Sequence, residues 1–222
     1  MHSRSTRLRF TAAAGALSAA LFLSGCGTPT APATDAAAQK ETKSPYKGTE
    51  IDQPFDKPDL RLTGTDGQPY DLRQKTAGRA TLLFFGYTNC PDVCPTTLGD
   101  VSVALQRQPQ EIRDKIDVVF VTTDPARDTP EQLGKWLQAF GDRFTGMTGD
   151  LVQVKQAAKS LGVSVEDPTV HHDGKVTSSH GTQVLAFLPT DNKAHVLYTS
   201  GTPTDSFIKD LPLLAGGVTS NR

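Results

Sequence analysis

Two stretches of the chain are apolar almost without interruption, residues 80–87 (ATLLFFGY) and 116–121 (IDVVFV). Short continuous runs rich in aromatic and β-branched residues are what strands buried on both faces require. Between them Leu98, Val101 and Leu105 fall at i, i+3 and i+7, the single apolar stripe of a helix. After the second run, Thr129-Pro130-Glu131-Gln132 supplies an N-cap threonine, a proline at the first helical position and a glutamine three residues after the cap. Leu133, Trp136, Leu137 and Phe140 mark the buried face of that helix. A further helix is predicted from about Asp150, with Leu151, Val154, Ala158 and Leu161 inward and Gly162 as its stop. Two hairpins frame these elements. Residues 59–62 and 68–72 flank Thr65-Asp66-Gly67, and residues 183–188 and 194–198 flank a five-residue loop that starts at Pro189. A short last helix opens at Thr202-Pro203. The order hairpin, βαβα, a short extended piece, α, hairpin, α predicts an α/β sandwich, a central mixed sheet flanked by helices and preceded by an N-terminal β-hairpin.

The first 50 residues follow a different pattern. Arg4, Arg7 and Arg9 precede an apolar run over residues 10–23, which ends in Leu23-Ser24-Gly25-Cys26. A basic region, a short apolar region and small residues before the cut describe a secretory leader, and the cysteine after Leu-Ser-Gly is the one that bacterial lipoprotein processing needs. The run is too short for a stable membrane span. Residues 1–25 therefore read as a signal peptide and Cys26 as the lipidated residue, which places the protein at the outer face of the bacterial cytoplasmic membrane. Residues 26–50 are Ala, Pro, Thr, Lys and Ser with few large apolar side chains, the composition of a flexible tether. Residues 51–216 suffice for one domain, and residues 217–222 read as a disordered tail. Three of the 23 basic residues lie in the leader, so the rest of the chain carries 20 against 24 acidic ones. That mildly acidic balance argues against nucleic acid as a partner, because such binding needs a basic patch.

With Cys26 committed to lipid, Cys90 and Cys94 are the remaining thiols in an oxidising compartment, and they either pair or hold something. Both belong to a segment that leaves a buried strand and opens a helix. The N–H groups and dipole at a helix start favour thiolate over thiol. Pro95 predicts that the regular helix begins there, with Cys94 near its N-cap and residues 91–93 as a stiff turn bringing Cys90 over Cys94. The C-x3-C spacing is one residue longer than that of disulfide oxidoreductases and lets two sulfurs face one ion, with a disulfide still open to it. Two thiolates suit a soft ion such as Cu(I), and a neutral imidazole as third ligand suits either copper oxidation state. Zinc takes the same ligand types.

Outside the leader the histidines are His171, His172, His180 and His195. His180 lies in the small-residue turn Ser178-Ser179-His180-Gly181-Thr182, immediately before the strand over 183–188. By analogy with thioredoxin-like folds, that turn faces the cysteine loop. His171 and His172 are adjacent on an extended segment, point to opposite sides and do not readily share an ion. His195 alternates with Val196 and Tyr198 and reads as solvent-facing. Asp124 has two readings. It either lies near the cysteine loop and orients a ligand, or caps the Pro125 turn and pairs with Arg127. Arg127, Asp128 and Thr129 read as turn and cap.

The segment Phe85-Gly86-Tyr87-Thr88-Asn89-Cys90-Pro91-Asp92-Val93-Cys94-Pro95-Thr96 resembles, almost throughout, the copper loop of the Sco/SenC family. Asp124-Pro125-Ala126-Arg127-Asp128-Thr129-Pro130 is similar to that family's second motif. The resemblance covers about residues 54–214. It implies a thioredoxin-like fold and copper held by Cys90, Cys94 and His180. The implied role is a metallochaperone, not an enzyme in the ordinary sense, that delivers copper to the dinuclear copper site of cytochrome c oxidase during assembly. Its partners would be the oxidase copper-binding subunit and a further copper donor protein. The alternative is a membrane-anchored thiol-disulfide reductase that uses Cys90 and Cys94 as its redox pair to keep the oxidase copper-site cysteines reduced. The chain departs from the family at one point: many relatives carry an acidic residue just before the ligand histidine, where this chain has Ser178 and Ser179.

Overall fold

The computed structural model describes residues 44–219. The predicted leader and Cys26 lie outside the described residues. The first half contains β1 (Thr49–Asp56), β2 (Arg61–Gly64), β3 (Pro69–Asp71), α1 (Leu72–Lys75), β4 (Ala80–Gly86), α2 (Val93–Gln106), α3 (Gln110–Arg113) and β5 (Ile116–Thr122). The second half contains α4 (Pro130–Leu137), β6 (Phe144–Thr148), α5 (Leu151–Ser160), β7 (Thr169–Val170), β8 (Val176–Thr177), β9 (Val184–Phe187), β10 (Lys193–Tyr198) and α6 (Thr204–Ala215).

Eight strands form one mixed sheet in the order β1-β10-β9-β4-β5-β6-β2-β3. β4, β5 and β6 run parallel at its centre, and β9 and β2 join them antiparallel. β4 is buried along its whole length, and its alternation decides the layers. Ala80, Leu82 and Phe84 face a core shared with Leu98 and Val101 of α2, Leu133 of α4 and Phe207 of α6. Leu83 and Phe85 face the opposite core with Val154 and Ala158 of α5. The two apolar runs in the sequence are thus the strands sandwiched between helical layers.

Local chemistry fixes several boundaries. The Thr129 hydroxyl accepts from the Gln132 N–H to cap α4, with Pro130 at its first position. Asp150 caps α5 through the N–H groups of Val152 and Gln153. Gly162, at φ +70°, supplies the left-handed residue that ends α5.

Three expectations need correction. The main helix begins at Val93, not Pro95. Pro95 falls in the first turn, where its missing N–H has no intrahelical partner to lose. Second, residues 46–50 are not tether. Tyr46 is buried, the Lys47 and Gly48 N–H groups donate to the Asp210 carboxylate at 2.8–2.9 Å, and Thr49 opens β1. Third, the C-terminal segment is tied down as far as Val218, whose carbonyl accepts from the Tyr46 hydroxyl at 2.5 Å. No helix among the described residues is long and apolar enough to cross a membrane.

Candidate metal centre

β4 delivers the chain to Gly86 at the end of the central sheet, and residues 87–92 turn back into α2. Gly86 must lack a side chain: a Cβ there would lie 2.8 Å from the Cys94 sulfur and 2.9 Å from the Phe120 ring. The Cys90 N–H bonds the Tyr87 carbonyl at 3.1 Å, which curls the loop. The Cys94 N–H, one of the free donors of the first helical turn, points at the Cys90 sulfur at 3.4 Å. Cys94 is fully buried, Cys90 partly exposed, and both are free thiols.

His180 arrives from far along the chain. It forms an isolated antiparallel bridge with Val165, reinforced by Gly181 N–H to the Ser164 carbonyl at 2.8 Å and Glu166 N–H to the Ser179 carbonyl at 2.9 Å. Its Nδ1 lies 2.9 Å from the Gly181 carbonyl oxygen. A carbonyl can only accept, so Nδ1 carries the proton and Nε2 keeps a lone pair. That Nε2 is 3.6 Å from the Cys94 sulfur. Phe84 and Tyr87 meet the imidazole edge-on and fix its plane. The ligand atoms of Cys90, Cys94 and His180 all lie within 4.8 Å of one another, and this is the one His/Cys/Asp/Glu group of metal-holding geometry among the described residues.

Electrostatics at buried Cys94 and partly buried His180 favour neutral forms. Burial holds the His180 imidazole below its ordinary range, which suits a metal ligand. Burial also pushes the Cys94 thiol well up, with the neighbouring Cys90 adding to the effect. This corrects the expectation that the helix start favours thiolate at Cys94: desolvation outweighs the helix N–H groups there. A bound cation reverses that balance, since a coordinating thiol is deprotonated outright. The arrangement can therefore hold a soft cation between two sulfurs and one nitrogen, or close a disulfide between the sulfurs.

The other candidates are placed elsewhere. Asp124 is buried and paired with Arg127, and its carbonyl accepts from the Arg127 and Asp128 N–H groups at 3.1 and 3.0 Å, so it serves the turn. His171 Nε2 is 2.8 Å from the Thr177 hydroxyl in the exposed β7–β8 hairpin, and exposed His172 follows it. His195 is half-buried and bonded to Asp191 at 2.7 Å. Ser178, at the departure from the family pattern, donates to Thr123 on the sheet side, while Gly181 orients the imidazole. Asp128, which reads from the sequence as turn and cap, also holds the cysteine loop. Its carboxylate is buried and accepts from the Thr88 N–H at 3.0 Å, the Thr88 hydroxyl at 2.5 Å and the Thr122 hydroxyl at 2.6 Å. The only hint was its place in the second motif; its partner Thr88 is 40 residues upstream.

Comparison with known proteins decides the family. A profile of the SCO1/SenC family matches residues 47–215, which includes both cysteines and His180. The chain belongs to the SCO1/SenC family. The fold is accordingly thioredoxin-like, and solved Sco structures superpose on it. Copper-bound ScoI of Bradyrhizobium japonicum is 28% identical with a TM-score of 0.62, covering 73% of this chain and 98% of that one. Apo Sco1 of Thermus thermophilus is 32% identical with a TM-score of 0.66, covering 76% and 96%. A SCO1/SenC family lipoprotein of Bacillus anthracis is 26% identical with a TM-score of 0.59, covering 74% and 99%. The first curated relatives are 38% and 34% identical, and the chain spans 59% and 35% of their lengths.

Proposed function

We propose that this SCO1/SenC protein is a copper carrier of the bacterial cell envelope that takes up copper through Cys90, Cys94 and His180 and passes it to the copper-binding subunit of cytochrome c oxidase during assembly. The observation that carries the reading is the convergence of two sulfurs and an unprotonated imidazole nitrogen within 4.8 Å, drawn from the single cysteine segment and from a turn 86 residues beyond Cys94. Two soft donors and one borderline donor suit copper, and the related ScoI structure holds that metal. Cys90 is partly exposed while Cys94 is buried, so an incoming thiolate can displace one ligand at the rim and take the ion by successive exchange. A lipid on Cys26 and a tether ahead of Tyr46 would let the domain reach a recipient at the same membrane face, in keeping with the lipoprotein character of the Bacillus relative.

The test is a transfer assay. The reduced chain is loaded with Cu(I), mixed anaerobically with a soluble oxidase copper domain, separated, and copper is counted on each protein. Copper is expected on the oxidase domain with wild type and to be largely missing with Cys90→Ala and His180→Ala. Retention of copper on the wild-type chain would reject delivery.

A second reading is favoured by the adjacent free thiols, with the Cys94 N–H already 3.4 Å from the Cys90 sulfur. The chain would act as a dithiol reductant. Cys90 and Cys94 give up two electrons and two protons as their S–S bond forms, and a partner disulfide accepts both and opens to two thiols. His180→Ala separates the two: it should impair copper transfer and leave reduction of the partner nearly intact.

A further inference from the structure

We propose that Asp128 is a positioning residue for the metal loop, setting the spacing of Cys90 from Cys94 and His180. This rests on the copper reading of the same site. Asp128 is 1% exposed, and a buried carboxylate is tolerated only when its lone pairs are satisfied. The neighbouring cation does not serve it, because the Arg127 guanidinium is engaged by Asp124 and the Val176 carbonyl. Three uncharged donors satisfy it instead. Thr122, at the end of β5, supplies one, and Thr88, two residues before Cys90, supplies the other two.

The anchorage on the other side is equally firm. The Asp128 N–H donates to the Asp124 carbonyl at 3.0 Å, and its carbonyl accepts from the Thr148 hydroxyl at 2.7 Å at the end of β6. Asp128 is thus fixed to the ends of two central strands and grips the loop with its carboxylate. Among the described residues, residues 88–91 are tied to other elements by those two hydrogen bonds from Thr88 and by the contact of Cys94, through its N–H and its thiol, with the Cys90 sulfur. The last is engaged with a ligand atom itself, so the Thr88–Asp128 clamp is the part of the anchorage that does not depend on the state of the sulfur. A carboxylate that only stabilised the fold would show itself in melting behaviour and leave the thiol geometry of the folded protein alone.

The experiment compares full-length wild type, Asp128→Asn and Thr88→Val. Asn keeps the size and halves the acceptors, while Val keeps the shape of Thr and removes one loop donor. Each folded protein is measured for Cu(I) affinity by chelator competition and for the Cys90–Cys94 dithiol-disulfide equilibrium against glutathione. Affinity should weaken roughly 10–100-fold in Asp128→Asn, as for loss of a ligand's supporting partner. It should weaken less, in the same direction, in Thr88→Val. Affinities within twofold of wild type in folded variants would overturn the assignment. Should wild type itself bind no Cu(I), the copper reading fails and the disulfide equilibrium decides: a shift in the variants upholds the clamp, and none overturns it. Should Asp128→Asn not fold, Thr88→Val decides alone.

Discussion

The two ends of β4 each bury an ionisable group, and they treat it differently. At the Ala80 end, Lys57 is 1% exposed, its ammonium donating to the Thr76 and Thr81 hydroxyls at 2.8 and 3.0 Å and lying over the Phe187 ring. Burial lowers its pKa to about 8. At the Gly86 end, Cys94 is fully buried and pushed toward its neutral form as well. The difference lies in what faces the group. Around Lys57, two hydroxyl oxygens and a ring face receive the ammonium, and the side chain is closed off from solvent. Around Cys94, the neighbours are a second sulfur and an imidazole nitrogen whose lone pair faces the Cys94 sulfur at 3.6 Å. An excess of converging lone pairs, with few protons to share among them, is the signature of a place for a cation. Desolvation alone therefore does not mark a site; the balance of donors and acceptors around the desolvated group does.

The largest effect is expected at the sulfurs. Cys94→Ser is expected to abolish tight Cu(I) binding, a larger loss than the roughly 10–100-fold that follows removal of a supporting partner, as read by anaerobic chelator competition. In wild type, binding must expel thiol protons, so affinity should rise with pH by up to about tenfold per unit for each proton released. Competition repeated between pH 6 and 8 reads this slope, and a flat profile would contradict thiol ligation. Next in size is Gly86→Ala, whose methyl meets Cys94 and Phe120 below 3 Å. Overpacking of this kind costs about 1–3 kcal/mol, to be read as a shift in the urea midpoint.

The closed end gives a smaller and purely energetic effect. The folded pKa of Lys57 lies below its unfolded value, so the burial penalty is fully present below pH 8. Above that pH the folded state releases the proton before the unfolded chain does. Unfolding free energy should then rise toward pH 10.5, by at most on the order of 1 kcal/mol per pH unit. Lys57→Met removes this contribution, and the difference between the two urea-derived stability profiles reads it. The smallest effect is expected from His172→Ala in the exposed β7–β8 hairpin, which should leave Cu(I) affinity unchanged in the same competition assay.

Much of this was legible in the chain because the deciding interactions are local. The apolar runs gave β4 and β5, Thr129-Pro130 and Asp150 announced α4 and α5, and the turn residues announced both hairpins. β1 was not legible, since its pairing partner β10 lies far downstream and its own pattern is broken by a register shift between Glu50 and Phe55. The helix start was misplaced because proline was given the first helical position when the third serves as well. At the site, the two cysteines announced themselves by spacing. His180 came only by analogy and family resemblance, because no local pattern encodes a contact across 86 residues. The charge state of Cys94 was misjudged for the same reason: its burial is produced by Phe84, Phe120 and α2 packing together, which no short segment reveals.

Copper held jointly by Cys90, Cys94 and His180 would be seen in X-ray absorption at the copper edge of the Cu(I)-loaded chain, compared with its His180→Ala variant. Two sulfur scatterers and one imidazole nitrogen are expected in wild type, with the imidazole signal lost in the variant. An imidazole-free spectrum in wild type, or one unchanged by His180→Ala, would contradict that ligand set.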